Sequence, residues 1–231
     1  MGDLLVLWDV DNTLLSAGGL GNSLYEAVFR EMFGRELTAV APKAGRTDRA
    51  IMLDTLALAG VPEPRAHVDD FLAALACRVT ALDGSVQAAV HALPGASGAI
   101  AALAAAGLRQ SLLTGNIRPL AALKLRLAGL GEHLNLDAGA YGDVHEVRAE
   151  LVPVARQAAR AAYGADFGGP STVLVGDTPL DVTAALATGA RAVAVATGSF
   201  AAADLAAAGA HAVLPDLTDS SLVLAAVTGQ P

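Results

Sequence analysis

From Leu93 to the C-terminus the chain repeats one rhythm: a helix-length segment, then a short apolar run flanked by turn residues. The segments Ser97–Ala106, Pro119–Leu127, Val147–Tyr163 and Leu180–Thr188 read as helices, and Gly107 stops the first. Between and after them, Ser111–Thr114, a weaker stretch at Leu136–Ala140, Thr172–Val175, Ala192–Val195 and Ala212–Leu214 read as strands. Strands alternating with helices of this length demand right-handed crossovers and a parallel sheet, which places the chain in the α/β class. The apolar run at Leu4–Trp8 is a further strand of that sheet, because it is continuously hydrophobic, as strands buried on both faces are.

Between that first strand and Leu93 the pattern is different. Ser16–Leu20 is small and glycine-rich, and helical patterning follows over Ser23–Phe33, Arg49–Ala59 and Val68–Leu82, with a further helix predicted over Val86–Ala92. Gly60-Val61-Pro62 supplies a glycine stop with a proline beyond it. With no strand pattern in the block, residues 16–92 are predicted to form an all-helical insertion, and residues 1–15 and 93–231 the α/β core.

Composition bounds the task. A net charge of −8 argues against a nucleic-acid backbone as the main partner. The lone Cys77 excludes an internal disulfide and suits a reducing cytosol. No basic stretch precedes the first apolar run, which breaks at Asp9, and no uninterrupted apolar window is long enough to span a bilayer. The sequence therefore predicts a soluble, cytoplasmic protein with no membrane partner. Lys43 and Lys124 are the only lysines among 15 basic residues, a bias that reads either as compositional chance or as lysine kept where a compact ammonium is needed.

In LLVLWDVDNTLL two carboxylates, Asp9 and Asp11, stand where a buried strand ends. Ligands of open parallel sheets bind beyond the carboxyl ends of the strands, so the residues that follow each strand form one test set. These are Asp9-Val10-Asp11-Asn12-Thr13, Thr114-Gly115-Asn116, Tyr141–Glu146, and Gly176-Asp177-Thr178-Pro179-Leu180-Asp181, with Lys124 on the helix that follows one strand. Turn chemistry accounts for such residues singly but poorly for all of them together. Asp9, Asp11, Asp177 and Asp181 at one edge would repel one another unless a cation sat among them, and all-oxygen ligation with room for water suits Mg²⁺. Thr114, neighbouring backbone N–H groups and Lys124 would supply donors for a phosphoryl anion. A carboxylate can then act as nucleophile.

These residues resemble the four motifs of the haloacid dehalogenase-like (HAD) hydrolase superfamily in its phosphatase branch: Asp9-x-Asp11-x-Thr13, Thr114, Lys124, and Gly176-Asp177-x-x-x-Asp181. The resemblance implies a Rossmann-like core with an inserted helical cap, and a Mg²⁺-dependent phosphatase acting on a small phosphorylated metabolite. It implies Asp9 as nucleophile and metal ligand, and Asp11 as general acid and base whose backbone carbonyl also binds the metal. Thr114 and Lys124 would hold the phosphoryl oxygens, Lys124 would also restrain Asp9, and Gly115 and Asn116 would line the substrate site. Asp177 would be a metal ligand, Asp181 would orient waters or Lys124, and Thr13 would fix the loop. Ala44–Asp48 resembles the cap loop of phosphoglycolate-phosphatase-like members, which makes Arg46 the expected substrate contact. Asp143, His145 and Glu146 follow a strand and stand as solvated loop residues or further site residues. Trp8 by alternation points away from the nucleophile. The alternatives are a phosphomutase, a phosphonatase using Lys43, and a non-catalytic phospho-acceptor or scaffold on the same fold.

Overall fold

The computed structural model describes residues 3–82 and 90–229. In chain order the elements are β1 (Leu5–Trp8), β2 (Leu15–Ser16), α1 (Leu20–Phe33), α2 (Asp48–Leu58), α3 (Pro64–Ala81), β3 (His91–Ala92), α4 (Ala96–Ala105), β4 (Arg109–Leu112), α5 (Arg118–Ala128), α6 (Leu151–Tyr163), β5 (Thr172–Gly176), α7 (Pro179–Ala187), β6 (Arg191–Val195), α8 (Ala202–Ala207), β7 (Ala212–Leu214) and α9 (Ser220–Thr228). Five strands form a parallel sheet in the order β4-β1-β5-β6-β7. The order reverses at β1, which has β4 on one side and β5 on the other, so a ligand crevice opens where these strands end.

Every residue of β1 is buried, and its alternation feeds two cores. Val6 and Trp8 pack with Ile100, Leu103 and Val223 on one face of the sheet. Leu5 and Leu7 pack with Leu151, Ala155 and Val182 on the other. Trp8 sits wholly in the core, its indole Nε1 donating to Gln110 Oε1 at 3.0 Å.

A third core belongs to the helices of the insertion: Val28, Phe29, Met52, Leu56, Phe71 and Leu75 meet there, joined by Leu120 and Leu123 of α5. The two connections to the sheet run side by side, because β2 pairs antiparallel with β3, Leu15 opposite Ala92 and Ser16 opposite His91. The helix predicted over Val86–Ala92 falls largely outside the described residues, and its last two positions lie in β3 rather than in a helix.

The weak strand predicted at Leu136–Ala140 is also corrected. Leu136–Ala138 is a 3₁₀ turn, capped by the Asn135 side chain accepting from the Asp137 N–H, and only a single parallel bridge from Leu113 to Ala140 extends the sheet there. Short 3₁₀ turns are typical connectors, and the cap satisfies the turn locally where a strand would need a ladder.

Candidate active site

The chain makes its first turn beyond β1 with backbone bonds to Val10: the Leu14 and Leu15 N–H groups both donate to its carbonyl, and Asn12 takes a left-handed conformation at φ 60°. The loop leaves Asp9 and Asp11 facing a cavity of about 510 Å³ between the sheet edge and the helical insertion. Thr13 Oγ1 donates to Asp177 Oδ1 at 3.2 Å, tying this loop to the end of β5.

Thr114 follows β4 and is fully buried. Its Oγ1 accepts from the Asn116 N–H at 3.2 Å and from Asn116 Nδ2 at 2.9 Å. Among the described residues its own hydroxyl hydrogen meets no acceptor, so it is available to an anion. At the third strand end, Thr178 caps α7: its side chain accepts from the Asp181 N–H, and Asp181 Oδ2 accepts from Thr178 N at 3.1 Å and Thr178 Oγ1 at 2.7 Å. This capping box is what turns Asp181 back toward the sheet edge.

Asp9, Asp177 and Asp181 are all buried, and one carboxylate oxygen of each lies within 4.8 Å of the others. The cation among them is Arg148, from the 3₁₀ turn that leads into α6. Its guanidinium meets Asp9 Oδ1 at 2.8 Å and Asp181 Oδ1 at 2.6 Å, and donates to the Leu113 carbonyl at 3.1 Å. Its Nε is buried with no hydrogen-bond partner among the described residues. The role expected of Lys124, restraining Asp9, therefore falls to Arg148, which the motif reading did not single out. A sequence signal existed: a cation in the first turn of a helix opposes the helix dipole, so an arginine there asks for an anionic partner.

Lys124 holds Asp11 instead. It is buried on α5, and its Nζ donates to Asp11 Oδ1 at 2.8 Å, Asp11 Oδ2 at 2.6 Å and Asn116 Oδ1 at 2.7 Å. Asn116 Nδ2 adds a bond to Asp11 Oδ2 at 2.7 Å. Asp181 likewise orients Arg148 rather than Lys124.

The electrostatics separate the two carboxylates of the first loop. Burial raises Asp11, but Lys124 and then Asn116 outweigh it and leave its pKa below the usual value. Burial pushes Asp9 up to about 6 despite Arg148, with Asp181 adding repulsion. Burial and then repulsion from Asp9 and Asp181 carry Asp177 to about 8. One arginine under-compensates three buried carboxylates, so the donor set fits a hard divalent cation such as Mg²⁺. Asp9 and Asp177 would hold it with the backbone carbonyl of Asp11. Both oxygens of Asp181 are already engaged, one by Arg148 and one by Thr178.

The insertion reaches this edge through its loop 43–47 and the first residues of α2. The Asp48 N–H donates to the Gly115 carbonyl at 2.7 Å and the Arg49 N–H to the Gly142 carbonyl at 3.0 Å. Glycine is required at both seats: a Cβ on Gly115 would lie 1.9 Å from the Arg46 carbonyl oxygen, and one on Gly142 would lie 1.7 Å from the Gly115 oxygen. The Asp48 carboxylate is saturated by the Tyr25 hydroxyl and the Ile117 N–H, and burial lifts it to about 6.

Arg46 lies in the cavity wall, but its guanidinium is turned away. It donates to Asp54 Oδ2 at 2.6 Å, the Pro42 carbonyl at 3.1 Å and the Ala50 carbonyl at 3.3 Å. The expected substrate contact is thus committed within its own segment. Asp143 and Glu146 serve the docking of the insertion: their carbonyls accept from Arg49 Nε at 2.8 Å and Thr47 Oγ1 at 3.1 Å, and the Glu146 side chain pairs with Arg65. His145 is exposed. Among the described residues no helix is long and apolar enough to cross a membrane.

A family model described as haloacid dehalogenase-like hydrolase matches residues 6–186. No curated protein matches the chain. Among solved structures, a predicted phosphatase from Clostridium acetobutylicum aligns at TM-score 0.68 and 14% identity, over 97% of this chain and 99% of that one. A HAD family hydrolase from Deinococcus radiodurans R1, solved with bound phosphate and sodium, aligns at TM-score 0.54 and 25% identity, over 98% and 96%. CbbY from Rhodobacter sphaeroides, solved in complex with phosphate, aligns at TM-score 0.63 and 16% identity, over 94% and 96%.

Proposed function

We propose, for a chain that belongs to the haloacid dehalogenase-like hydrolase family, that it is a Mg²⁺-dependent phosphatase of a small phosphorylated metabolite. The observation that carries this reading is the sheet edge itself. Asp9 stands there with Oδ1 fixed by Arg148, beside Asp177 and the free hydroxyl hydrogen of Thr114. The phosphate bound in the Deinococcus radiodurans structure supports a phosphoryl ligand at such a site.

Asp9 attacks phosphorus, and the ester P–O bond breaks to leave an aspartyl-phosphate and an alkoxide that takes a proton by way of Asp11. Arg148 sets the attacking carboxylate, while the Thr114 hydroxyl and the Gly115 backbone amide donate to the phosphoryl oxygens. The metal, when bound, neutralises charge on those oxygens. Asp11, paired with Lys124, is ionised in this state, which suits it to deprotonate the water that then cleaves the aspartyl-phosphate. In its acid role Asp11 takes up a proton from solvent and passes it to the leaving alkoxide, and the water step returns one. The insertion over residues 16–92 acts as a cap, its loop seated on Gly115 and Gly142 to keep water out while the first step proceeds.

The test is hydrolysis of p-nitrophenyl phosphate. The protein should turn it over with Mg²⁺ and stop in excess chelator, and Asp9→Asn should abolish turnover with the far-UV circular dichroism unchanged. Near-normal turnover by Asp9→Asn rejects the mechanism.

A further inference from the structure

At two glycines of the sheet edge a carboxylate already occupies the place where a side chain would start. A Cβ on Gly176, the last residue of β5, would lie 2.2 Å from Asp181 Cγ. A Cβ on Gly198, in the turn after β6, would lie 1.8 Å from Asp177 Oδ2 and 2.8 Å from Asp177 Cγ. Gly176 belongs to the motif that carries both carboxylates, whereas Gly198 belongs to none. Gly198 is not in the left-handed region, so it is the close approach of Asp177, not the backbone, that calls for glycine there.

The oxygen over Gly198 is the free one. Asp177 Oδ1 accepts from Thr13 Oγ1, and among the described residues Oδ2 accepts no hydrogen bond. Asp177 lines the cavity, so Oδ2 is the donor it has left for a cation. The same turn also reaches the loop after β1. β6 pairs with β5, Gly176 opposite Ala194, which carries the chain leaving β6 past Asp177. Thr197 extends beyond the end of β5, and its Oγ1 donates to the Asn12 carbonyl. The Asn12 N–H donates to the Leu15 carbonyl at 2.8 Å, which in a trans peptide points the Asp11 carbonyl the opposite way, away from the turn. Both peptides at Asn12 are therefore tied, one by Leu15 and one by Thr197. Neither Thr197 nor Gly198 lines the cavity, so they act on it through Asp177 and the Asp11–Asn12 peptide.

We propose that Thr197 and Gly198 are positioning residues of the metal site, Gly198 setting where Asp177 Oδ2 stands and Thr197 holding the turn that presents the Asp11 carbonyl. The inference rests on the Mg²⁺-dependent reading above and adds to it a support that no motif residue supplies. Mg²⁺ tolerates little departure from short, octahedral ligand positions, so moving a donor weakens its binding. In Gly198→Ala the Asp177 carboxylate must swing aside. With Oδ2 held by no hydrogen bond it can do so without unfolding the sheet edge.

The test is the melting temperature of the metal-free protein against Mg²⁺ concentration, which reads affinity by mass action and needs no turnover. Gly198→Ala should need at least about tenfold more Mg²⁺ for the same rise, the scale of losing a group that orients a ligand. In excess chelator it should melt within about 4 °C of the parent, as after a small packing change in a chain of this length. Thr197→Val, which keeps the shape and removes the hydroxyl, should weaken Mg²⁺ by about tenfold, and Thr197→Ser should stay within about twofold of the parent. A Mg²⁺ dependence within about twofold of the parent's in Gly198→Ala or Thr197→Val overturns the proposal for that residue, whatever the variant's stability in chelator. Thr197→Ser as weak as Thr197→Val overturns it too, because the hydroxyl would then not be what matters. A parent whose melting ignores Mg²⁺ rejects the metal reading and the proposal together, whereas a responsive parent beside equally responsive variants rejects the proposal alone.

Discussion

Arg148→Met removes the cation and keeps most of the side-chain volume. In the intact protein the guanidinium meets Asp9 at 2.8 Å and Asp181 at 2.6 Å, with Asp177 in the same buried cluster. Deleting one partner of a buried pair leaves uncompensated charge, and the cost is about 3–5 kcal/mol. For a chain of this length each kcal/mol moves the melting temperature by roughly 2–4 °C, so a fall of about 10 °C is expected at neutral pH in excess chelator. Mg²⁺ should restore more of the variant's stability than it adds to the parent, because it meets carboxylates that have lost the guanidinium that compensated them. Lower pH should also narrow the deficit. Without Arg148 the folded-state pKa of Asp9 rises further above about 6, so the folded variant binds more protons than the unfolded chain and gains stability as pH falls. Scanning calorimetry of both proteins, in chelator and in Mg²⁺, at pH 5.5 and 7.5, reads all of this. A variant melting within a couple of degrees of the parent in chelator, with the same increment from Mg²⁺, refutes the claim that Arg148 compensates the cluster.

Burial raises Asp48 from 3.8 to about 6, so its protonated form stabilises the fold and that contribution is lost as pH rises through this window, by at most about 3 kcal/mol. Urea unfolding of Asp48→Asn and the parent between pH 4 and 7 should therefore show a shallower pH slope in the variant, and parallel curves would discard the assignment. Gly142→Ala drives a Cβ to 1.7 Å from the Gly115 carbonyl oxygen and 2.9 Å from the Asp48 amide. It should cost about 1–3 kcal/mol in urea unfolding and lower turnover of phosphate esters, whereas Gly131→Ala, with nothing within 4 Å of the new methyl, should do neither.

Four strands of the sheet were legible as short, mostly apolar runs between turn residues, whereas β4 starts two residues before the expected Ser111–Thr114 because Arg109 and Gln110 are polar. The stretch at Leu136–Ala140 misleads for a local reason. Its hydrophobic spacing suits a strand, but Asn135 caps a turn at its start and leaves one bridge, at Ala140, to join the sheet. At the site, residue types announced the chemistry while partners stayed hidden. Asp9, Asp11, Thr114, Asp177 and Asp181 do converge, yet which cation serves which carboxylate depends on where α5 and the turn before α6 deliver their side chains. Lys124 lies after one motif strand and Arg148 after the next, and order along the chain cannot rank them. Arg46 was equally unreadable, since its destiny is set by Asp54 on α2, the helix that follows its loop.

The allocation of cations follows from their shapes. At position 148 the long arginine side chain brings one nitrogen, Nη2, to carboxylates from two strand ends and to the Leu113 carbonyl, while its delocalised charge extends over the rest of the guanidinium. At position 124 three oxygens converge, two from Asp11 and one from Asn116, all between 2.6 and 2.8 Å from a single nitrogen. That is the coordination of a point charge with three donors. A chain that otherwise relies on arginine thus keeps lysine where charge must be confined to one carboxylate.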